Sequence, residues 1–223
     1  MSRELFHFDI ETIAQYKSFS DFELNDKRGA ELFKNKYEWT WKDKYDSVED
    51  AYLDKAGVIS TYGKIICISF GFLDNNGLAS IKSFYGHDEY DIVNSFNNLL
   101  LKVEKKNFNL SGYKILQFDI PYVLHKMHKY GIKPAEIINP YDKKPWDLRI
   151  TDLAEDWKQK SLWPIYLDEV AYELVIESSK DEITGKDVNR VYWESTSNIE
   201  LIKEYCEKDV NVCIEIEKKI YKI

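Results

Sequence analysis

Cysteine is scarce in this sequence and follows no metal-binding spacing. The three cysteines, Cys67, Cys206 and Cys213, include no C-x-x-C pair. An odd number without such spacing argues against a zinc knuckle and against a disulfide framework. We expect Cys206 and Cys213 to be small apolar residues of a helix. This cysteine usage predicts a reducing, cytoplasmic location.

Long apolar runs are also missing. No stretch approaches the ~20 apolar residues that a membrane span needs, and the first residues lack the apolar core of a signal peptide. No repeat or Pro/Gly-rich linker divides the chain, whose 223 residues are 44% apolar and 31% charged. The composition therefore predicts one globular domain over residues 1–223.

An excess of positive charge is the third absence. The chain has 31 Lys and Arg against 39 Asp and Glu, a formal net charge of −8. This balance excludes a protein that covers nucleic acid with a generally basic surface. Binding to nucleic acid stays consistent with the charge only if the acidic residues lie where metal ions offset them.

Hydrophobic patterning predicts an α/β domain with a mixed central sheet flanked by helices. An aromatic-rich insert, about 12–60, follows the first strand. Strands are predicted at 4–10, 64–73, 78–85 and 113–117, with Asp74-Asn-Asn-Gly77 as a hairpin turn. Helices are predicted at 48–56, 88–105, 120–130 and 165–175, and from a capping box at Ser197 almost to the C-terminus. We expect a short strand or helix within 147–157 and a loop at 177–195.

Two carboxylates share one face of the first predicted strand. Side chains alternate along a strand, so Asp9 and Glu11 project from the same side. A divalent cation relieves their repulsion, and carboxylate oxygens suit Mg²⁺ or Mn²⁺. The alternative is a strand that ends at a solvated edge, where the pair needs no ion.

A third carboxylate, Asp119, follows the predicted strand 113–117 and precedes Pro121. Proline belongs in a first helical turn, so Asp119 is expected at or just before a helix N-terminus. One interpretation is a helix N-cap. The other is a residue at the carboxyl edge of the sheet, where α/β proteins place their sites.

A fourth carboxylate lies on the last predicted helix. Asp209 falls within its apolar stripe, four residues after Tyr205. A carboxylate on a buried helix face costs several kcal/mol unless it is paired or bound to metal. The stripe offers no Lys or Arg as a partner, so a metal-binding role is an equal alternative to a buried ion pair.

These residues, in this order, resemble the three motifs of the DEDDy 3′–5′ exonucleases, in the DnaQ-like branch of the ribonuclease H-like fold. Asp9 and Glu11 match the first motif, Asp119 the second, and Tyr205 with Asp209 the third. The similarity spans about 4–215 and is strongest to stand-alone exonucleases similar to the proofreading domain of family-B DNA polymerases. Glu204 stands where the histidine-bearing variant has its base, so the tyrosine variant fits.

The resemblance implies a metal-dependent enzyme that degrades single-stranded DNA from its 3′ end and releases nucleoside 5′-monophosphates. Two Mg²⁺ or Mn²⁺ ions are implied, with Asp9 bridging both. Glu11 and Asp209 complete the site that activates water, and Asp119 holds the second ion. Tyr205 orients the water. A 3′–5′ exoribonuclease, or a catalytically weakened module of this fold that binds nucleic acid or protein, remains an alternative.

Some residues indicate where nucleic acid would lie. The family usually has Asn five residues before Asp119, but this chain has Lys114, which either contacts a phosphate or marks altered activity. Further candidate contacts are Trp39 and Trp41, which alternate with lysines in the insert, and Lys126 and Lys129 after Asp119. The alternatives are aromatic side chains packed on the core and a solvated basic helix face.

Overall fold

A five-stranded mixed sheet organises the fold. The computed structural model describes residues 4–74, 76–106, 108–141, 143–144, 147–178 and 183–221. Its elements in chain order are β1 (Glu4–Ala14), α1 (Phe19–Asn25), α2 (Lys27–Thr40), α3 (Val48–Lys55), β2 (Gly63–Leu73), β3 (Ala79–Tyr85), α4 (Glu89–Val103), β4 (Phe108–Gly112), α5 (Asp119–Lys129), β5 (Ile150–Asp152), α6 (Leu153–Lys158), α7 (Leu167–Glu173), α8 (Val188–Glu194) and α9 (Ile199–Tyr221).

The first strand lies at the centre of the sheet, whose strand order is β3-β2-β1-β4-β5. β1 pairs antiparallel with β2, with Asp9 opposite Ser69, and parallel with β4. The register between β1 and β2 shifts between Glu11 and Thr12. Because β1 continues past both carboxylates to Ala14, the alternative of a strand ending at a solvated edge is wrong.

The two faces of β1 serve different purposes. Phe6, Phe8 and Ile10 point into the main core, where they meet side chains of α4 and α5. The alternate residues point to the other face, which α9 covers. There the buried His7 contacts Glu217 of α9 across 2.9 Å, between Nε2 and Oε2. This packing holds α9 over the face that carries Asp9 and Glu11.

The insert after β1 folds into three helices around an aromatic core. Phe22, Phe33 and Tyr52 are almost fully buried there and contact one another. Each helix begins with a side chain that accepts a hydrogen bond from its first turn: Ser18, Asp26 and Ser47. The helix predicted at 48–56 is confirmed as α3.

Two predictions of secondary structure are wrong. The strand predicted at 113–117 lies earlier, as β4, and ends at Gly112, where a Cβ atom would meet the Phe8 carbonyl oxygen at 2.6 Å. The loop predicted at 177–195 contains α8, although residues 179–182 lie outside the described chain. The last helix, α9, begins at Ile199 after a 3₁₀ turn.

Within the described residues, no helix is both long enough and apolar enough to span a membrane. The cytoplasmic location stays a prediction.

Candidate metal centre

Asp9 and Glu11 lie on the face of the sheet that α9 covers. Glu11 is buried and Asp9 is partly exposed. The alternation of β1 places both carboxylates on this face, and the register shift follows Glu11 directly. The central strand thereby presents two acidic groups side by side beneath a helix.

Asp119 reaches the same place from the segment that follows β4, the parallel neighbour of β1. It is the first residue of α5 and is only 2% exposed. Its Oδ1 accepts a hydrogen bond from the backbone N–H of Ile10, at 3.0 Å. Asp119 is therefore no N-cap: its carboxylate is directed across to β1, next to Asp9.

The third contribution comes from α9. Tyr205 and Asp209 are one helical turn apart, and both are buried. The Tyr205 hydroxyl donates a hydrogen bond to Asp209 and also lies near Glu11 and Asp9. The structure thus brings together all five residues predicted from the three motifs: Asp9, Glu11, Asp119, Tyr205 and Asp209.

A thiol also lies at this cluster. The Cys206 Sγ is 3.3 Å from Asp9 Oδ2, to which it donates a hydrogen bond. One ligand atom from each of Asp9, Glu11 and Cys206 lies within 4.8 Å of the others. Cys206 is fully buried, as expected of a small apolar residue, but its neighbours are acidic.

Burial and mutual repulsion shift the titration of the acidic groups. Burial, followed by the charges of Asp119 and Asp209, raises the pKa of Asp9 well above its usual value. Burial and the charge of Asp9 do the same to the pKa of Glu11. Burial raises the pKa of Asp119 to about 7, although the hydrogen bond from the Ile10 N–H lowers it. The carboxylates therefore lack positive charge around them.

This donor set fits divalent metal ions. Carboxylate oxygens are the ligands that Mg²⁺ and Mn²⁺ prefer, and two carboxylates sharing one space are stabilised as anions by a cation between them. The raised pKa values show that the protein itself supplies too little positive charge around Asp9, Glu11 and Asp119. With Asp209, whose charge adds to theirs, these carboxylates are suitable ligands for divalent metal ions.

Asp152 is a further acidic residue near the cluster that the sequence patterns did not predict. It ends β5, is 4% exposed, and adds its charge to the surroundings of Asp119. Its Oδ1 accepts hydrogen bonds from the N–H groups of Lys114 and Ala154, and its Oδ2 accepts one from Leu116. Asp152 thereby fixes the loop before Asp119. The available signal was an Asp between a short strand and a helix, as at Asp119.

The predicted nucleic-acid contacts are scattered. Lys126 is 2% exposed and bonds to the Gly63 carbonyl oxygen and Glu89, so it cannot reach a bound strand. Trp41 is 9% exposed and packs on Phe33, which makes it unavailable too. These two predictions are corrected: both side chains belong to the interior.

The remaining three predicted contacts are accessible. Lys114 lies on the loop before Asp119, with its Nζ 4.7 Å from the centre of the Tyr166 ring. Lys129 lies ten residues after Asp119 in α5, about 15 Å along the helix at ~1.5 Å per residue. Trp39 is 90% exposed on α2. These contacts stay predictions.

Comparison with known proteins places the chain in a superfamily. The RNase_H superfamily model RNase_H_2 matches residues 53–221, a range that includes Asp119 and Asp209. "Putative DNA polymerase 060R" of Frog virus 3 (isolate Goorha) is 24% identical over an alignment of 157 residues, which covers 60% of this chain and 15% of that protein.

A solved structure shares the fold. The family B DNA polymerase from the hyperthermophilic archaeon Pyrobaculum calidifontis aligns with 99% of this chain and 25% of its own, with a TM-score of 0.63 and 14% identity. The chain therefore spans a quarter or less of the length of these relatives. The predicted ribonuclease H-like fold is confirmed, and the chain belongs to the RNase_H superfamily.

Proposed function

We propose that this protein is a DEDDy-type, divalent-metal-dependent 3′–5′ exonuclease. It hydrolyses single-stranded DNA from the 3′ end and releases nucleoside 5′-monophosphates. One observation carries the proposal: four carboxylates and a tyrosine from β1, α5 and α9 meet in one buried cluster. The similarity to DNA polymerases supports this substrate class.

Each residue of the cluster has a distinct task. Asp9, Glu11, Asp119 and Asp209 would hold the Mg²⁺ or Mn²⁺ ions. When bound, the ions offset the charge of the phosphate and lower the pKa of a water molecule. Tyr205 is held by its hydrogen bond to Asp209 and orients the attacking water through its hydroxyl oxygen. The water oxygen bonds to phosphorus, the P–O3′ bond breaks, and the phosphate leaves on the 5′ oxygen of the released nucleotide.

The test uses matched single-stranded DNA and RNA of one sequence, each labelled at the 5′ end. With Mg²⁺ or Mn²⁺ we expect stepwise shortening of the DNA, and excess EDTA should stop it. Asp9→Ala should abolish the shortening, because it removes one of the carboxylates that would hold the metal ions. Glu204→Ala is the control, since Glu204 is exposed on α9.

Cleavage in excess EDTA, or undiminished cleavage by Asp9→Ala, would overturn the mechanism. Shortening of the RNA with the DNA left intact would replace the proposal with an exoribonuclease. Binding of both strands without shortening would indicate the weakened binding module.

A further inference from the structure

An exposed apolar surface with flanking lysines lies between α6 and α7. We call it the 158–166 surface, defined by Lys158, Lys160, Leu162, Trp163 and Tyr166. Leu162 is 93% exposed, Trp163 78% and Tyr166 59%. Large apolar side chains that are exposed together on a soluble protein mark a binding surface.

Direct contacts attach this surface to the candidate metal centre. The Tyr113 hydroxyl donates a hydrogen bond to the Ile165 carbonyl oxygen at 2.8 Å. Lys114 places its Nζ over the Tyr166 ring. Both residues belong to the loop that leads to Asp119. Beneath the surface, Ile165 packs in a cluster with Val212, which follows Asp209 by one turn of α9. The 158–166 surface therefore borders the acidic cluster.

The charges of this surface are those that attract an anion. Across the part of the chain that the structure describes, Lys114, Lys158 and Lys160 form no ion pair. The neighbouring acidic groups, in contrast, accept hydrogen bonds from within the chain. They are Glu155 from Gln117, Asp156 from Tyr221, and Glu169 from the Tyr166 N–H. Lys114, Lys158 and Lys160 are therefore the cations of this surface that can contact the phosphates of a bound strand.

We propose that the 158–166 surface binds the nucleic-acid strand immediately upstream of the 3′-terminal nucleotide. Bases stack on Trp163 and Tyr166, and backbone phosphates meet Lys114, Lys158 and Lys160. Interleaved aromatic and basic side chains suit a single strand, because every base has a face that stacks and every linkage carries a charge. The proposal deepens the proposed function and rests on it.

The test measures strand affinity without turnover. Anisotropy of a 5′-labelled single-stranded oligonucleotide is titrated with full-length Asp9→Ala protein in Mg²⁺ buffer, with and without the added substitution Trp163→Ala. We expect Trp163→Ala to weaken binding about tenfold, the effect of one lost stacking contact. Trp163→Phe keeps an aromatic face and should restore affinity to within about twofold.

A matched tyrosine pair controls for the loss of exposed aromatic surface. Tyr166 and Tyr141 are both 59% exposed, but Tyr141 lies in the connection that precedes β5, whereas Tyr166 follows β5 and α6. Tyr166→Ala should weaken binding severalfold, and Tyr141→Ala should not. Replacing Lys158 and Lys160 by Gln together should lower the slope of log Kd against log salt by about 2.

The outcomes separate this proposal from the proposed function. Unchanged strand affinity in Trp163→Ala and Tyr166→Ala would overturn the surface proposal. So would a change in self-association alone, measured by sedimentation, since that assigns the surface to a second copy of the chain. Hydrolysis is measured separately on unsubstituted protein, so strand binding that depends on Trp163 can be established whether or not turnover is found.

Discussion

At the scale of single residues, Tyr205 is the clearest case of a side chain positioned for chemistry. Its ring is buried and its hydroxyl donates a hydrogen bond to Asp209. Burial, reinforced by the charge of Asp209, keeps the pKa of this hydroxyl far above its usual value. Tyr205 therefore stays neutral at physiological pH, so in the proposed reaction it would orient water rather than accept a proton.

We expect Tyr205→Phe to lower kcat by on the order of 10²-fold. KM should change little, because the proposed role of the hydroxyl is to orient the water and not to bind the strand. Steady-state kinetics on single-stranded DNA measure both constants. Tyr85→Phe is the control, since the Tyr85 hydroxyl bonds Glu200 of the same helix at 2.9 Å, outside the cluster. Equal losses in the two variants would contradict the role of Tyr205.

Lys114 differs from the Asn of the exonucleases that the sequence resembles, but its backbone has a conformation that Asn also adopts. Its φ is 61°, in the left-handed region, where Asn is tolerated better than Lys. The Asp152 carboxylate holds the Lys114 N–H at 2.9 Å and stabilises this conformation. The usual Asn of the family fits this backbone, and the substitution instead adds a cation beside Tyr166.

At the scale of elements, the insert shows why a pattern can be misread. Tyr37, Trp39 and Trp41 alternate, which is also typical of an extended segment. In α2, however, the buried residues are Ala30, Phe33 and Tyr37, at helical spacing, and the C-cap Trp41 continues the same face. Trp39 points to solvent. Helical periodicity over fourteen residues outweighs an alternation of five.

We expect Trp41→Ala to lower the free energy of unfolding by about 3 kcal/mol, because it removes a large side chain from the core of the insert. Trp39→Ala should change it by less than ~0.5 kcal/mol. Urea denaturation followed by circular dichroism measures both values. A larger effect at Trp39 than at Trp41 would mean that α2 presents another face to the core.

Local signals explain which parts of the molecule could be predicted. The hairpin of β2 and β3 has a turn sequence between two apolar runs, and both strands lie within two residues of their predicted bounds. Each carboxylate of the cluster has a local signal: Asp9 and Glu11 share a strand face, Asp119 precedes a proline of a first helical turn, and Asp209 interrupts an apolar stripe. The burial of Lys126 has none, because its partner Glu89 lies 37 residues earlier on α4 and only the folded chain joins them.

At the scale of the whole molecule, the acidic cluster couples folding to pH and to metal. The raised pKa values of Asp9, Glu11 and Asp119 mean that the metal-free folded chain holds protons that the unfolded chain releases near pH ~4. The stability that these three groups contribute is fully present below that pH. It is lost as the pH rises through the folded-state values, which for Asp119 is about 7.

In EDTA, the thermal unfolding midpoint should therefore decrease as the pH is raised from about 5 to about 8. Mg²⁺ should raise the midpoint more at the higher pH, since it binds the ionised carboxylates. Differential scanning calorimetry measures both effects. Asp119→Asn, which keeps an acceptor for the Ile10 N–H, should flatten the pH dependence in EDTA. A midpoint that climbs with pH in EDTA would contradict this linkage.

The buried thiol beside Asp9 has a consequence for which metals occupy the cluster. A magnesium ion held here would need only oxygen ligands and would leave the Cys206 proton in place, whereas a zinc ion could also use the sulfur if that proton were released. Burial raises the pKa of Cys206, so this release is costly at low pH and easier at high pH. A cluster with this thiol would thus discriminate only weakly between the two metals, and the supply of each would decide which one it holds.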